Sequence, residues 1–103
     1  MSDNQVVVFV TYQGDADSWF DREYYLAKHM PLVQSAWGPY GLESAVAFFP
    51  PAVEAGTIVV AELRFRDEAA MEAAYKAPIT PEVYCDTPKY TDIAPIRSRA
   101  YIF

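Results

Sequence analysis

The sequence predicts an α+β fold, a four-stranded antiparallel sheet with its helices on one face. Three observations lead there. Four runs, Gln5–Tyr12, Leu42–Phe49, Thr57–Arg66 and Ala94–Phe103, have strand length and are rich in β-branched and aromatic residues. Helical patterns with start signals fill the gaps between the first and second runs and between the third and fourth. Only a short Pro/Gly-punctuated segment separates the second run from the third, which suits a hairpin. The order is therefore βαββαβ, and crossovers with a hairpin between them give the ferredoxin-like plait.

Each element has a local reason. Gly14-Asp15-Ala16-Asp17-Ser18 is a loop, and Asp21 is placed to cap a helix with Phe20 stapled onto Tyr25. Pro31 lacks an N–H and disfavours helical geometry at Met30, so the helix is expected to tighten or break there. Apolar residues continue through Leu32, Val33 and Trp37 until Gly38-Pro39-Tyr40-Gly41 ends the element. Pro50-Pro51 closes the second strand, and Val53-Glu54-Ala55-Gly56 completes the hairpin connection. Asp67 caps an Ala-rich helix, Glu68–Lys76, stopped by Pro78, and Thr80-Pro81-Glu82 starts a short further helix with Pro81 in its first turn.

With 103 residues the chain has room for one domain, 1–103, and one core. Its apolar fraction of 52%, including eight Tyr, six Phe and two Trp, is that of a packed globule. The net charge of −6 leaves too few, too scattered cations for a phosphate backbone, so no nucleic-acid partner is expected. Anionic substrates meet an unfavourable long-range field, which leaves neutral or weakly polar small molecules, and the aromatics near the proposed cleft suit a cyclic or aromatic one. Cys85 is the sole cysteine, so no intrachain disulfide forms and a reducing compartment fits; it reads as a small buried hydrophobe. Met1-Ser2-Asp3-Asn4 has no basic region, and Val6–Val10 is far shorter than the ~20 residues a bilayer span needs. The expectation is a cytoplasmic protein without a membrane partner.

The strands are apolar on both faces. Val6, Val8 and Val10 alternate with Val7 and Phe9, and Ala45, Ala47 and Phe49 alternate with Val46 and Phe48. Helices cover one face of such a sheet, and a sheet with one wet face alternates apolar with polar. A second copy on the other face, a homodimer, accounts for the pattern.

His29 is the only histidine. Its imidazole has an unperturbed pKa of about 6.5 and so exchanges protons near neutrality. Tyr25 lies four residues before it, on the same helix face. In a cleft between helix and sheet the two would share a desolvated space, with His29 held neutral and basic. The competing reading is a structural histidine bonded to carbonyls at a proline-broken helix end. The segment Tyr84 to Pro95 is a turn region in which Tyr90 would line a pocket mouth and Asp92 would orient or charge-pair with His29. Asp86, like Asp92, also suits a purely local role, tying down a turn through backbone N–H groups. Tyr24, Trp37 and Tyr90 are candidates to grip a flat apolar ligand, together with ordinary core aromatics.

Other templates fail. One His and one Cys make no ordinary zinc site, and neither a Gly-rich phosphate loop nor a Gly-x-Ser-x-Gly elbow is present. No metal and no cofactor are expected, with one alternative: His29 as an axial haem ligand.

Two separated motifs carry a resemblance. Phe20-Asp21-x-x-Tyr24-Tyr25-x-x-x-His29-Met30-Pro31-Leu32-Val33, and later Pro81-Glu82-Val83…Asp86-Thr87-Pro88-Lys89-Tyr90-Thr91-Asp92-Ile93-x-Pro95, resemble the signature of the EthD family, in order and over nearly the whole chain. The resemblance implies a dimeric α+β barrel and a pocket where His29, Tyr25, Tyr90 and Asp92 meet. It also implies a place in small-molecule breakdown, of ethers, aromatics or polyketide-type compounds. The hairpin segment Pro50–Gly56 is bulky for that family, and Thr87 and Lys89 replace residues of other types; both bear on the pocket entrance. The expectation is a cofactor-independent lyase or isomerase with His29 as proton shuttle, Tyr25 as hydrogen-bond donor to an oxyanion and Asp92 as the orienting carboxylate. The alternative is a non-catalytic small-molecule-binding or accessory protein for an oxygenase system.

Overall fold

The computed structural model describes residues 5–51 and 56–101. Strands β1 (Val6–Gly14), β2 (Leu42–Phe48), β3 (Gly56–Phe65) and β4 (Ile96–Tyr101) form one sheet in the order β2-β3-β1-β4. All three pairings are antiparallel. This is the expected plait. β4 begins two residues later than the sequence suggested, because Ala94 and Pro95 remain in the preceding loop. Its last two predicted residues, and the hairpin positions 52–55, lie outside the described residues.

The first crossover is continuous from 22 to 37 and corrects the expectation that the helix tightens or breaks at Met30-Pro31, since the turn there widens instead. Helix α1 (Arg22–Tyr24) passes into a π-turn, Tyr25–His29, and then into α2 (Met30–Trp37). Here the Met30 N–H bonds the Tyr25 carbonyl, five residues back. A widened turn just before Pro31 removes the clash between its ring and the carbonyl four residues earlier, so the proline is absorbed without breaking the helix. The start follows the sequence: the Tyr24 N–H donates to Asp21 Oδ1 at 3.0 Å, and Phe20 packs edge-on against Tyr25 with centroids 5.0 Å apart.

A 3₁₀ turn, Gly38–Tyr40, leads to Gly41, whose φ of +113° is open to glycine and strained for other residues. The second crossover holds α3 (Glu68–Lys76), capped where the Ala70 N–H donates to Asp67 Oδ1 at 2.7 Å, then α4 (Thr80–Cys85) and a 3₁₀ turn, Thr87–Lys89.

The core lies between this helical layer and the sheet face bearing Val6, Val8, Val10 and Tyr12. Phe65, Met71, Ala74 and Tyr90 are fully enclosed there. Cys85 corrects its expectation: it is exposed, because α4 turns Thr80 and Val83 inward and its last residue outward. The opposite sheet face carries Val46, Phe48 and Ile96, each about half exposed, with Phe9 half buried among them. Among the described residues no helix is long and apolar enough to cross a membrane.

Candidate active site

Helix and sheet part to leave a hollow. Val10 and Tyr12 of β1, with Ala61 and Leu63 of β3, form its floor; Tyr25, His29, Val33 and Trp37 form its roof. Val83, Tyr84, Thr87 and Tyr90 close one side, and Arg97 of β4 reaches it from the sheet edge. The cavity volume is about 30 Å³. At about 10–15 Å³ per water that is room for two or so, and a ring-sized guest requires side chains at the mouth to swing. A porphyrin finds no slot there.

His29 sits at the end of the π-turn, with only 6% of its surface exposed. Its Nδ1 lies 3.0 Å from Asp86 Oδ2. Burial depresses the imidazole below its ordinary 6.5, the Asp86 carboxylate pulls it partly back, and the Arg97 charge pushes it down again. Burial acts to raise the Asp86 carboxyl, but the hydrogen bonds from Tyr24 and His29 outweigh it and leave the group below the usual carboxylate range. At neutral pH the pair is therefore a carboxylate and a neutral imidazole. A carboxylate only accepts, so the ring proton is assigned to Nδ1 and the lone pair to Nε2. Nε2 lies 3.4 Å from the Tyr90 hydroxyl, which is 2.7 Å from that of Tyr12. Asp86, His29, Tyr90 and Tyr12 thus form one line of polar groups within an aromatic cage.

The phenols stay protonated. Burial raises Tyr12, Tyr25 and Tyr90, and neighbouring phenols add to the rise. Each remains a hydrogen-bond donor at any physiological pH. Tyr25 stacks on His29, ring planes 18° apart with centroids at 5.4 Å, the i, i+4 contact expected across this turn.

The structure brings together His29, Tyr25, Trp37 and Tyr90 at the hollow. Trp37 is anchored there by Nε1–H donating to Thr80 Oγ1 at 2.9 Å. Tyr24 lines no part of it; its hydroxyl donates to Asp86 Oδ1 at 2.7 Å while its ring stacks on Tyr90. Asp92 is not the orienting carboxylate. It is exposed and faces a second, open depression, beyond the bridge between Phe20 and Thr91. That bridge pins the chain at Thr91 and turns the following residue outward.

Asp86 holds the place assigned to Asp92, and its bonds to side chains replace the backbone role expected of it. One signal marks it: Thr80, Val83 and Asp86 recur every three residues and all three are buried, so Asp86 shares the inward face of α4. Tyr84 and Arg97 also escaped the sequence reading, since each is exposed over much of its surface and neither is placed by any local pattern. Among the described residues no three His, Cys, Asp or Glu cluster as metal ligands would.

No protein-family model matches the sequence, and no curated protein does. Solved structures do match. The four-stranded antiparallel plait with its helices on one face is a fold shared with solved EthD-like proteins. The chain is similar to an EthD-like protein of Ralstonia eutropha JMP134 (TM-score 0.84, 21% identity, covering 96% of this chain and 92% of that one). It is also similar to an ethyl tert-butyl ether D (EthD) family protein of Bacillus halodurans C-125 (0.66, 16%, 91% and 96%). A third match is SnoaB, a cofactor-independent oxygenase of Streptomyces nogalater (0.70, 8%, 98% and 94%). Identities this low speak for the fold.

Proposed function

We propose that the protein is a cofactor-independent enzyme of small-molecule metabolism, a lyase or isomerase that moves a proton on a cyclic or aromatic compound. The observation that supports it most is the buried line from Asp86 through His29 to an apolar hollow. Burial keeps the imidazole neutral, so the lone pair on Nε2 is available to take a proton from an acidic C–H or O–H of the ligand. Asp86, accepting from Nδ1, fixes the tautomer and stabilises the imidazolium that forms. The oxygen that gains charge as the proton leaves accepts a hydrogen bond from the Tyr25 or Tyr90 phenol, whose raised pKa keeps it a donor. Returning the proton to another carbon gives isomerisation; delivering it to a departing hydroxide releases water and gives a lyase. Trp37 is positioned as a wall for the ring, and Tyr24 as the brace of Asp86. The EthD-like and SnoaB neighbours, the latter a cofactor-independent oxygenase, support small-molecule metabolism on this fold and do not bear on the choice of lyase or isomerase.

The same reading includes a homodimer joined through the sheet face carrying Phe9, Val46, Phe48 and Ile96. These side chains form an apolar area that a monomer would leave in water.

The test is proton NMR of a panel of cyclic enones, lactones and phenols in D₂O. Deuterium uptake or rearrangement of a panel member by the wild type, reduced ~10²–10⁴-fold in His29→Ala, is the expected result. Undiminished turnover in His29→Ala removes the proton-transfer role. Stoichiometric binding without exchange, equal in His29→Gln, favours the non-catalytic accessory reading.

A further inference from the structure

Arg97 has a position the proton chemistry leaves unused. It lies on β4 directly across from Val10, on the helix-facing side of the sheet, and lines both the hollow and the open depression outside it. No other Lys or Arg lines either space. Most other arginines of the described sheet and its approaches are paired: Arg64 with Glu62 at 2.8 Å, Arg99 with Glu68 at 2.9 Å, and Arg66 with Asp67 at 3.7 Å. Arg97 has no carboxylate within ion-pair distance among the described residues. Its guanidinium lies over the Tyr84 ring, 4.6 Å from the centroid. Tyr84 lines both spaces as well, so the stacked pair stands where they meet.

A guanidinium held over a ring by cation–π attraction still has N–H donors to offer a ligand, and its planar fork matches carboxylates and other oxyanions bidentately. Val10 and Ala61 line the same hollow beside it. We propose that Arg97 is a specificity-determining residue that selects ligands bearing an anionic oxygen, a carboxylate or an enolate, and that Tyr84 holds it at the mouth. This extends the functional reading above, on which it rests, and replaces the neutral ligand expected from net charge. Repulsion from a chain of −6 acts at long range and is screened within about 10 Å, whereas the guanidinium acts at contact.

The ring signal of the only histidine reports occupancy of the hollow. Benzoate and its uncharged analogue benzamide are titrated at constant ionic strength into wild type, Arg97→Gln and Arg97→Lys while the His29 resonance is followed. Wild type is expected to bind benzoate ~10- to 100-fold more tightly than benzamide, the range for a charge-assisted hydrogen bond. Arg97→Gln is expected to lose that preference with benzamide affinity unchanged, and Arg97→Lys to keep part of it. The same preference in Arg97→Gln as in wild type, or none in wild type, overturns the assignment and leaves the His29 chemistry standing. If neither probe moves the His29 signal, the anion preference assigned to Arg97 is overturned, and the His29 chemistry is decided separately by the exchange panel.

Discussion

Replacing Asp86 with alanine isolates the interaction that the site depends on. The carboxylate accepts from His29 at 3.0 Å and from Tyr24 at 2.7 Å, and its Lys89 contact at 3.7 Å is solvent-exposed on the lysine side. Removing it leaves the Nδ1–H of a buried ring without a partner, a loss of about 1–3 kcal/mol. The Tyr24 hydroxyl is closer to solvent and turns to water at lower cost, and the Lys89 pair contributes little. Asp86→Ala should therefore unfold about 1–3 kcal/mol more easily at pH 7.5. In thermal melts a domain of this size loses about 4–8 °C for each kcal/mol.

The pH dependence has a definite sign. Burial holds His29 below its ordinary 6.5, so as pH falls from 6.5 the unfolded chain takes up a proton that the native state resists, and stability declines. Without the carboxylate the native imidazole resists protonation still more, so the variant declines faster. Asp86 itself stays ionised down to its depressed range below 3.8, outside this window. Urea titrations followed by circular dichroism at equal protein concentration should show a larger gap between variant and wild type at pH 5 than at pH 7.5. A variant within about 0.5 kcal/mol of wild type at both pH values, or a gap that shrinks at pH 5, refutes the reasoning.

Two further substitutions test other parts of the account. Phe48→Glu places a charge on the half-exposed apolar sheet face, at the end of edge strand β2, and should convert the proposed dimer to a folded monomer in analytical ultracentrifugation; an unchanged sedimentation coefficient would remove this face from any interface. Gly41→Ala should destabilise by about 1–3 kcal/mol, because φ is +113° and the added Cβ would lie 2.6 Å from the Ala70 side chain. A calorimetric melt matching wild type would show that the turn relaxes.

The strands were legible because runs such as Val6–Val10 and Ile58–Val60 consist of β-branched and aromatic residues and the strands are bounded by turn residues. The helix caps Asp21 and Asp67 were legible because capping depends on residues three apart. Pro31 misled because proline's two penalties are local facts, whereas the π-turn that relieves them is a property of the whole turn before it. The histidine was legible by its uniqueness, but its partner was not. Asp86 and Asp92 stand in one turn-rich segment with the same chemistry, and the bridge at Thr91, a contact with Phe20 from far along the chain, separates buried from exposed. Arg97 was illegible for the same reason: only sheet register sets it opposite Val10 at the mouth of the hollow.

Nitrogen-15 NMR of the His29 ring across pH addresses the central claim most directly. A neutral imidazole protonated at Nδ1 at pH 7.5, titrating with a midpoint below 6.5, is the state in which Asp86 holds one nitrogen and leaves the other basic toward the hollow. A ring protonated at Nε2, or a midpoint above 6.5, would contradict it.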